Sequence, residues 1–370
     1  MAFAPFVIFL WERAKSRLSA FCVFFSYYGA ASHGIINGAP VFFGPAVPHH
    51  YGLFLWLASA FALSLPWALL WSERFNPLFF PLRLIAGLAS SIIPPLAVVG
   101  WTNPILAVAV FFPAGWGYWA LLAFVAGISF MVYLTRLKRQ NLYLFIAFCL
   151  IIQFMPLKSP SPAAGWTGID TSFGKLASGS SPSVEDWQRY NALRPLLDTI
   201  IDKTDSKIII LPETIAGRWT RLNAATWLLS IEEIARSGKI IAVGAELWEA
   251  SKYDNAMLFF FPDGSTLKAI QRLPVPISMY RPWDETGANA YWFADGVISI
   301  HDNAVLVLIC YEQFLIWPFL WSVCRNDIDI VIGTANDWWC KDTNLPRIQN
   351  QTISLLCRLF SLDLVTATNL

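Results

Sequence analysis

The chain has 370 residues, 56% of them hydrophobic and only 14% charged, where a soluble domain carries roughly 25% charged residues. That balance points to a membrane protein, and a formal net charge of +1 excludes an electrostatic case for a nucleic-acid partner. Six cysteines, at 22, 149, 310, 324, 340 and 357, show no paired spacing, so no disulfide framework, no metal site and no cofactor is read.

Residues 1–156 read as the membrane part. Apolar runs occupy 18–32, 52–71, 79–100, 103–134 and 142–156, which makes about five spans, the first and last short of the roughly 20 residues a crossing needs. Ala2 to Leu10 is apolar but lacks the order of charge, apolar core and cleavage site of a signal peptide, so an uncleaved anchor is expected. Prolines 66, 94, 95, 104 and 113 mark kinks. Arg83 is costly in lipid unless it snorkels or faces the bundle. The 18 tryptophans fit interfacial aromatics. Basic residues stand before the first run (Arg13, Lys15, Arg17), after the second (Arg74) and before the last (Arg136, Lys138, Arg139), while 33–50 has no Lys or Arg. Placing all three basic groups inside requires 103–134 to cross once, as a kinked span, and leaves the remainder of the chain outside.

Residues 157–183 form a linker by composition. Beyond it, over 184–370, helical and strand patterns alternate. Helices are expected at Val184–Ile201, with Ser183 as cap and Glu185 and Asp186 in its first turn, at Ala224–Arg236 and at Gln349–Phe360. Strands are expected at Lys207–Leu211, Lys239–Val243, Asn255–Phe261, Thr266–Ile270, Gly296–Ile300, Ala304–Ile309, Ile328–Ile332 and Leu364–Thr368, with a turn at Pro262-Asp263-Gly264. The fold class is therefore an N-terminal α-helical transmembrane bundle followed by an α/β layered domain.

Three apolar runs end in chemistry. Ile208 to Leu211 leads through Pro212 to Glu213; Val307 to Ile309 leads to Cys310, Tyr311 and Glu312; Ile330 to Ile332 leads on to Asn336, Asp337, Trp338 and Trp339. Strands that finish in polar side chains put those groups at one end of a sheet, where α/β sites form. A cysteine at a strand-to-helix turn has its thiolate favoured by unpaired backbone N–H groups and the helix dipole. Glu312 could orient a neighbouring group. Cys310 alone also fits a buried core thiol, and Glu213 a helix cap or surface carboxylate. Asn336 to Trp339 fit turn residues with interfacial aromatics equally well.

Pro212-Glu213-Thr214, Ile309-Cys310-Tyr311-Glu312 and Asn336-Asp337-Trp338-Trp339 resemble the nitrilase (carbon–nitrogen hydrolase) superfamily, and within it the membrane-bound apolipoprotein N-acyltransferases, from near Trp187 onward. The resemblance implies an αββα domain, truncated at the C-terminus because the chain stops short of the family's closing strands. It implies Glu213 as general base and Cys310 as nucleophile forming a thioester, with Tyr311, Glu312, Asn336, Asp337, Trp338 and Trp339 at the binding wall. The family's lysine falls on Arg272, and Met279 replaces its second glutamate; Lys268 is the alternative lysine. Residues 274–283 (Pro-Val-Pro-Ile-Ser-Met-Tyr-Arg-Pro-Trp) and 31–44 also resemble the plasmid-borne conjugal-transfer B proteins. Two functions stay open. One is a conjugation-supporting protein of the bacterial inner membrane, multi-pass with a periplasmic nitrilase-like domain, linked to the transfer apparatus. The other is an active acyltransferase moving an acyl group from a membrane lipid to an amine such as a lipoprotein N-terminus.

Overall fold

Alternation of apolar side chains across a strand sends successive residues to opposite faces, and a sheet covered on both faces reads as a continuous apolar run. Ile208-Ile209-Ile210 behaves in this way in the computed structural model, which describes residues 3–44, 47, 48, 50–138, 140–175, 182–203 and 205–370. Ile208 and Ile210 join one apolar core and Ile209 another. The chain divides into two compact units: residues up to Pro160 with Phe314–Trp317 and Asp342–Leu362, and Ser161–Gln313 with Pro318–Lys341 and Asp363–Leu370.

The first unit is helical: α1 (Phe6–Glu12), α2 (Arg17–Ser32), α3 (Ile35–Phe43), α4 (Tyr51–Leu70), α5 (Phe80–Ser90), α6 (Val108–Phe111), α7 (Gly117–Leu137) and α8 (Gln140–Phe154). Two of these, α4 and α7, are long and apolar enough to cross a membrane. The run at 79–100 is α-helical only to Ser90, ahead of Pro94-Pro95, because a proline pair removes two backbone donors, and it resumes as a short 3-10 turn at Leu96–Val99. The run at 103–134 starts as a short turn and α6, breaks at Phe112-Pro113, and continues as α7. Its expected kink is therefore a break. An aromatic knot joins α1, α2 and α4: Trp11 Nε1 donates to the Trp67 carbonyl at 2.8 Å, and Phe24 stacks on Trp67 at 3.8 Å. At one end, Arg13 donates to the Thr135 carbonyl (2.8 Å), Arg136 pairs with Glu12 through Nε (2.8 Å), and its guanidinium lies over Phe75. These contacts gather the segments around Arg13, Arg74 and Arg136; Arg139 lies outside the described residues. A later helix, α12 (Leu345–Phe360), is part of this unit, with Arg358 Nη1 donating to the Phe112 carbonyl at 2.9 Å.

The second unit holds two sheets. The first runs β1 (Trp166–Gly168), β2 (Ile208–Ile210), β3 (Ile240–Glu249), β4 (Lys252–Phe260), β5 (Thr266–Ile270), with β6 (Gly287–Ala288) also beside β4. β1, β2 and β3 are parallel; β4 is antiparallel to β3 and β5. The second sheet runs β10 (Asp363–Asn369), β9 (Ile330–Asn336), β8 (Asn303–Ile309), β7 (Val297–Ile300), parallel except for the β7–β8 pair. Ile208, Ala242, Phe259, Val307, Ile332 and Val365 share one core, so the sheets face each other. The other side of the first sheet packs on α9 (Pro182–Lys203) and α10 (Arg221–Arg236) through Leu193, Leu197, Trp227 and Ile231.

Several expectations shift. Residues 157–183 are not all linker, since β1 pairs with β2 and Thr171 bridges to Asn369; part of the stretch, 176–181, lies outside the described residues. β3 and β4 form one long hairpin turning at Ala250-Ser251, whose polar outer halves hid it from an apolar pattern. α9 starts at Pro182, and the side chains of Ser183, Glu185 and Asp186 lie outside the described residues. After β8 comes a 3-10 turn, Cys310–Phe314, and only then α11 (Ile316–Val323).

A buried thiol and carboxylate at the strand ends

β2, β8 and β9 deliver the three groups that the sequence singles out. Glu213 follows β2 in a loop pressed against β3. A Cβ on Gly244 would lie 2.4 Å from the Pro212 carbonyl oxygen and 2.5 Å from the Thr214 nitrogen, so only glycine lets that loop approach. Glu213 is buried, and its carboxylate accepts from Asn255 Nδ2 at 2.6 Å (Oε1) and from the Asn336 N–H at 2.9 Å (Oε2). The Cys310 thiol also hydrogen-bonds it. The structure thus brings Cys310, Glu213 and Asn336 together.

Cys310 sits directly after β8 with φ of 50°, a left-handed conformation unusual for a residue with a side chain. The turn is held by Glu312, whose Oε2 accepts the Ile309 N–H at 3.0 Å, and by Gln313, whose amide donates to the Thr334 carbonyl at 2.8 Å. Strain held in place by surrounding bonds is common at reactive positions. The helix-start expectation for the thiolate is corrected here. Burial, then the neighbouring Glu213 and Asp337 carboxylates, push the Cys310 thiol well above its ordinary value. A short 3-10 turn offers little dipole against that desolvation. Burial also raises Glu213 to about 7, against the lowering effect of its bonds from Cys310 and Asn255, and raises Asp337 to about 7. The resting pair is therefore a neutral thiol beside a carboxyl that ionises near neutrality.

Arg272 is placed elsewhere. Its guanidinium is 2% exposed and pairs with Glu312, with Nε to Oε1 at 3.0 Å. Its Nη1 donates to the Asp295 carbonyl (3.0 Å), the Pro318 carbonyl (3.1 Å) and Ser322 Oγ (2.8 Å). The charge is thus bonded to the underside of the Cys310 turn, and neither Glu213 nor Asp302 is its partner. Lys268 lies on β5 in register with Leu258. Asn336 extends the site: its amide donates to Thr214 Oγ1 and its oxygen accepts from Asn369, each at 2.8 Å. Asp337 is buried, with its N–H on the Asn369 carbonyl at 2.8 Å. Tyr311 is buried; Trp338 is half-buried with Lys175 over its ring, and Trp339 is half-buried. Among the described residues no group of His, Cys, Asp and Glu is arranged to hold a metal ion. Sequence reasoning missed Asn255, Gln271 and Asn369. Of these, Asn255 carries a signal, a polar residue at the mouth of the apolar run 256–261.

No family model matches the chain. It is 31% identical over 367 residues to a probable conjugal transfer protein TraB of Sinorhizobium fredii, covering 97% of this chain and 90% of that one. It is 28% identical over 376 residues to the conjugal transfer protein TraB of Agrobacterium fabrum, covering 97% and 85%. Among solved structures, a CN-hydrolase superfamily protein of Xanthomonas campestris aligns with 57% of this chain and 75% of its own, at 16% identity and a TM-score of 0.35.

Proposed function

The chain belongs to the TraB family of conjugal transfer proteins, and from that membership we propose that it is a membrane-anchored, nitrilase-type component supporting plasmid conjugal transfer, using Cys310 for acyl-transfer chemistry. The observation that carries the chemical half is the buried hydrogen bond between the Cys310 thiol and the Glu213 carboxylate. Ionised Glu213 takes the thiol proton as the sulfur attacks an acyl-ester carbonyl. The ester C–O bond breaks, the departing oxygen takes the proton back from Glu213, and a thioester remains on Cys310. An amine then attacks the thioester carbonyl, the C–S bond breaks, and the amine's proton passes through Glu213 to the departing Cys310 sulfur. Asn255 and the Asn336 N–H keep the carboxylate aimed through this cycle. Because the Arg272 charge is engaged by Glu312, its guanidinium is not the partner of Glu213, which suits slow or single-use acylation. A membrane lipid is the acyl donor in this reading, and the transfer apparatus or a lipoprotein the recipient.

The bundle is the anchor. The gathering of the Arg13, Arg74 and Arg136 segments at one end supports a cytoplasmic face there, with the inner membrane crossed several times and the α/β unit periplasmic. The full chain, reconstituted in phospholipid vesicles and quenched in acid, tests the chemistry. Mass mapping is expected to find one hydroxylamine-labile acyl group on the Cys310 peptide, absent in Cys310→Ala. Acylation on Cys324 or Cys340 instead, or none at all, overturns it. A second reading, a full-turnover acyltransferase, rests on the same intact pair; it requires rapid loss of the adduct when a peptide amine is added.

A further inference from the structure

We propose that Gln271, passed over by the sequence pattern in favour of its neighbour Arg272, is the positioning residue that holds Glu213 and Cys310 in register; the inference rests on the acyl-transfer reading of that pair. Gln271 is 1% exposed, and its side-chain amide is used at both ends. Nε2 donates to the Ile309 carbonyl at 2.8 Å, and Oε1 accepts from Asn255 Nδ2 at 3.0 Å. The same Asn255 nitrogen donates to Glu213 Oε1 at 2.6 Å. One uncharged relay therefore runs from the carboxylate of the base to the peptide bond that joins Ile309 to Cys310.

The backbone fixes the relay's origin. β4 and β5 pair with Ala256 opposite Ile270, and the Gln271 N–H donates to the Asn255 carbonyl at 2.8 Å, so the two amides start side by side. Gln271 and Arg272, just past the end of β5, divide the labour. Arg272 holds Glu312, whose carboxylate takes the Ile309 N–H; Gln271 takes the Ile309 carbonyl. Residue 309 is thereby pinned on both its N–H and its C=O immediately ahead of a cysteine at φ of 50°. A side chain at 271 must donate and accept at once. A carboxylate can only accept when ionised, and a thioether is at best a weak acceptor.

The test uses the full chain in detergent and measures iodoacetamide alkylation at Cys310, mapped by mass, from pH 5 to 9. In wild type the rate rises as Glu213 ionises. Gln271→Met is expected to lower the rate about tenfold or more, since small misplacements of reacting groups cost this much, and to move the pH midpoint. Gln271→Glu, which keeps the shape and places a second acid near Glu213, is expected to move the midpoint upward by about one pH unit. In Gln271→Met, which adds no charge, a purely structural role would change the melting temperature and leave the midpoint in place. Wild-type rate and midpoint in both variants overturn the proposal, as does a lowered melting temperature with an unmoved midpoint. Alkylation needs no acyl donor, so a wild type that accepts no acyl group sinks the acyl-transfer reading while this readout still judges Gln271.

Discussion

Glu213 and Asp337 are two buried acids whose ordinary values of 4.5 and 3.8 are lifted to about 7 by burial. The folded chain therefore binds protons that the unfolded chain has released, so their contribution to stability is full below about pH 4 and lost as pH rises through 7. A thermal melt in detergent should give a lower midpoint at pH 8 than at pH 5, and Asp337→Asn should shrink the difference; an equal difference would contradict the burial. Arg272 and Glu312 form an ion pair with side-chain exposures of 2% and 0%. Removing one partner of such a pair leaves a buried charge, so Arg272→Met should cost about 3–5 kcal/mol, measurable by denaturant unfolding. Arg272→Lys should also destabilise, because an ammonium cannot reproduce the planar fork that reaches Glu312, Asp295, Pro318 and Ser322. At this scale the sequence was legible where a strand ended in an unusual residue: Glu213, Cys310 and Asn336 do meet. The pairing of Arg272 with Glu312 was not legible, because linear spacing does not say which buried group a side chain past the end of a strand will reach. Gln271 was invisible because a glutamine carries no chemistry until its neighbours are known.

Elements were read well where apolar runs were short and bounded. Thr266–Ile270 matches β5 in full, and Ala304–Ile309 falls one residue inside β8. The hairpin of β3 and β4 was legible only in its buried half, since its outer residues, such as Glu249 and Lys252, follow no burial period. α12 groups with the helical unit rather than with the strands around it in sequence, which no local pattern reveals. Prolines 94, 95 and 113, expected to kink the spans, stand instead at breaks: α5 ends at Ser90, α6 at Phe111, and α7 begins at Gly117. The contact between the Glu213 loop and β3 is the element-scale feature with the sharpest consequence. Gly244→Ala puts a methyl group into the Pro212–Thr214 backbone. It should cost about 1–3 kcal/mol, as overpacking does, and slow Cys310 alkylation by shifting Glu213. An unchanged alkylation rate would show that the loop does not set the position of the base.

At the scale of the whole molecule, relatives named for conjugal transfer align over 97% of the chain, so the resemblance carried by 31–44 and 274–283 extends to both units. The proposed orientation puts Leu370 in the periplasm, where an alkaline phosphatase fused after that residue should be active; activity only from a cytoplasmic reporter at the same position would reverse it. The central claim joins the two halves: the thiol site serves plasmid transfer. It is tested most directly by mating, with a donor lacking its own copy of this gene and complemented with wild type or Cys310→Ala at matched protein levels. Transfer frequency is expected to fall about tenfold or more with Cys310→Ala, since removing the nucleophile removes the covalent step. Wild-type frequency from that donor would contradict the account and leave the buried thiol a packing residue.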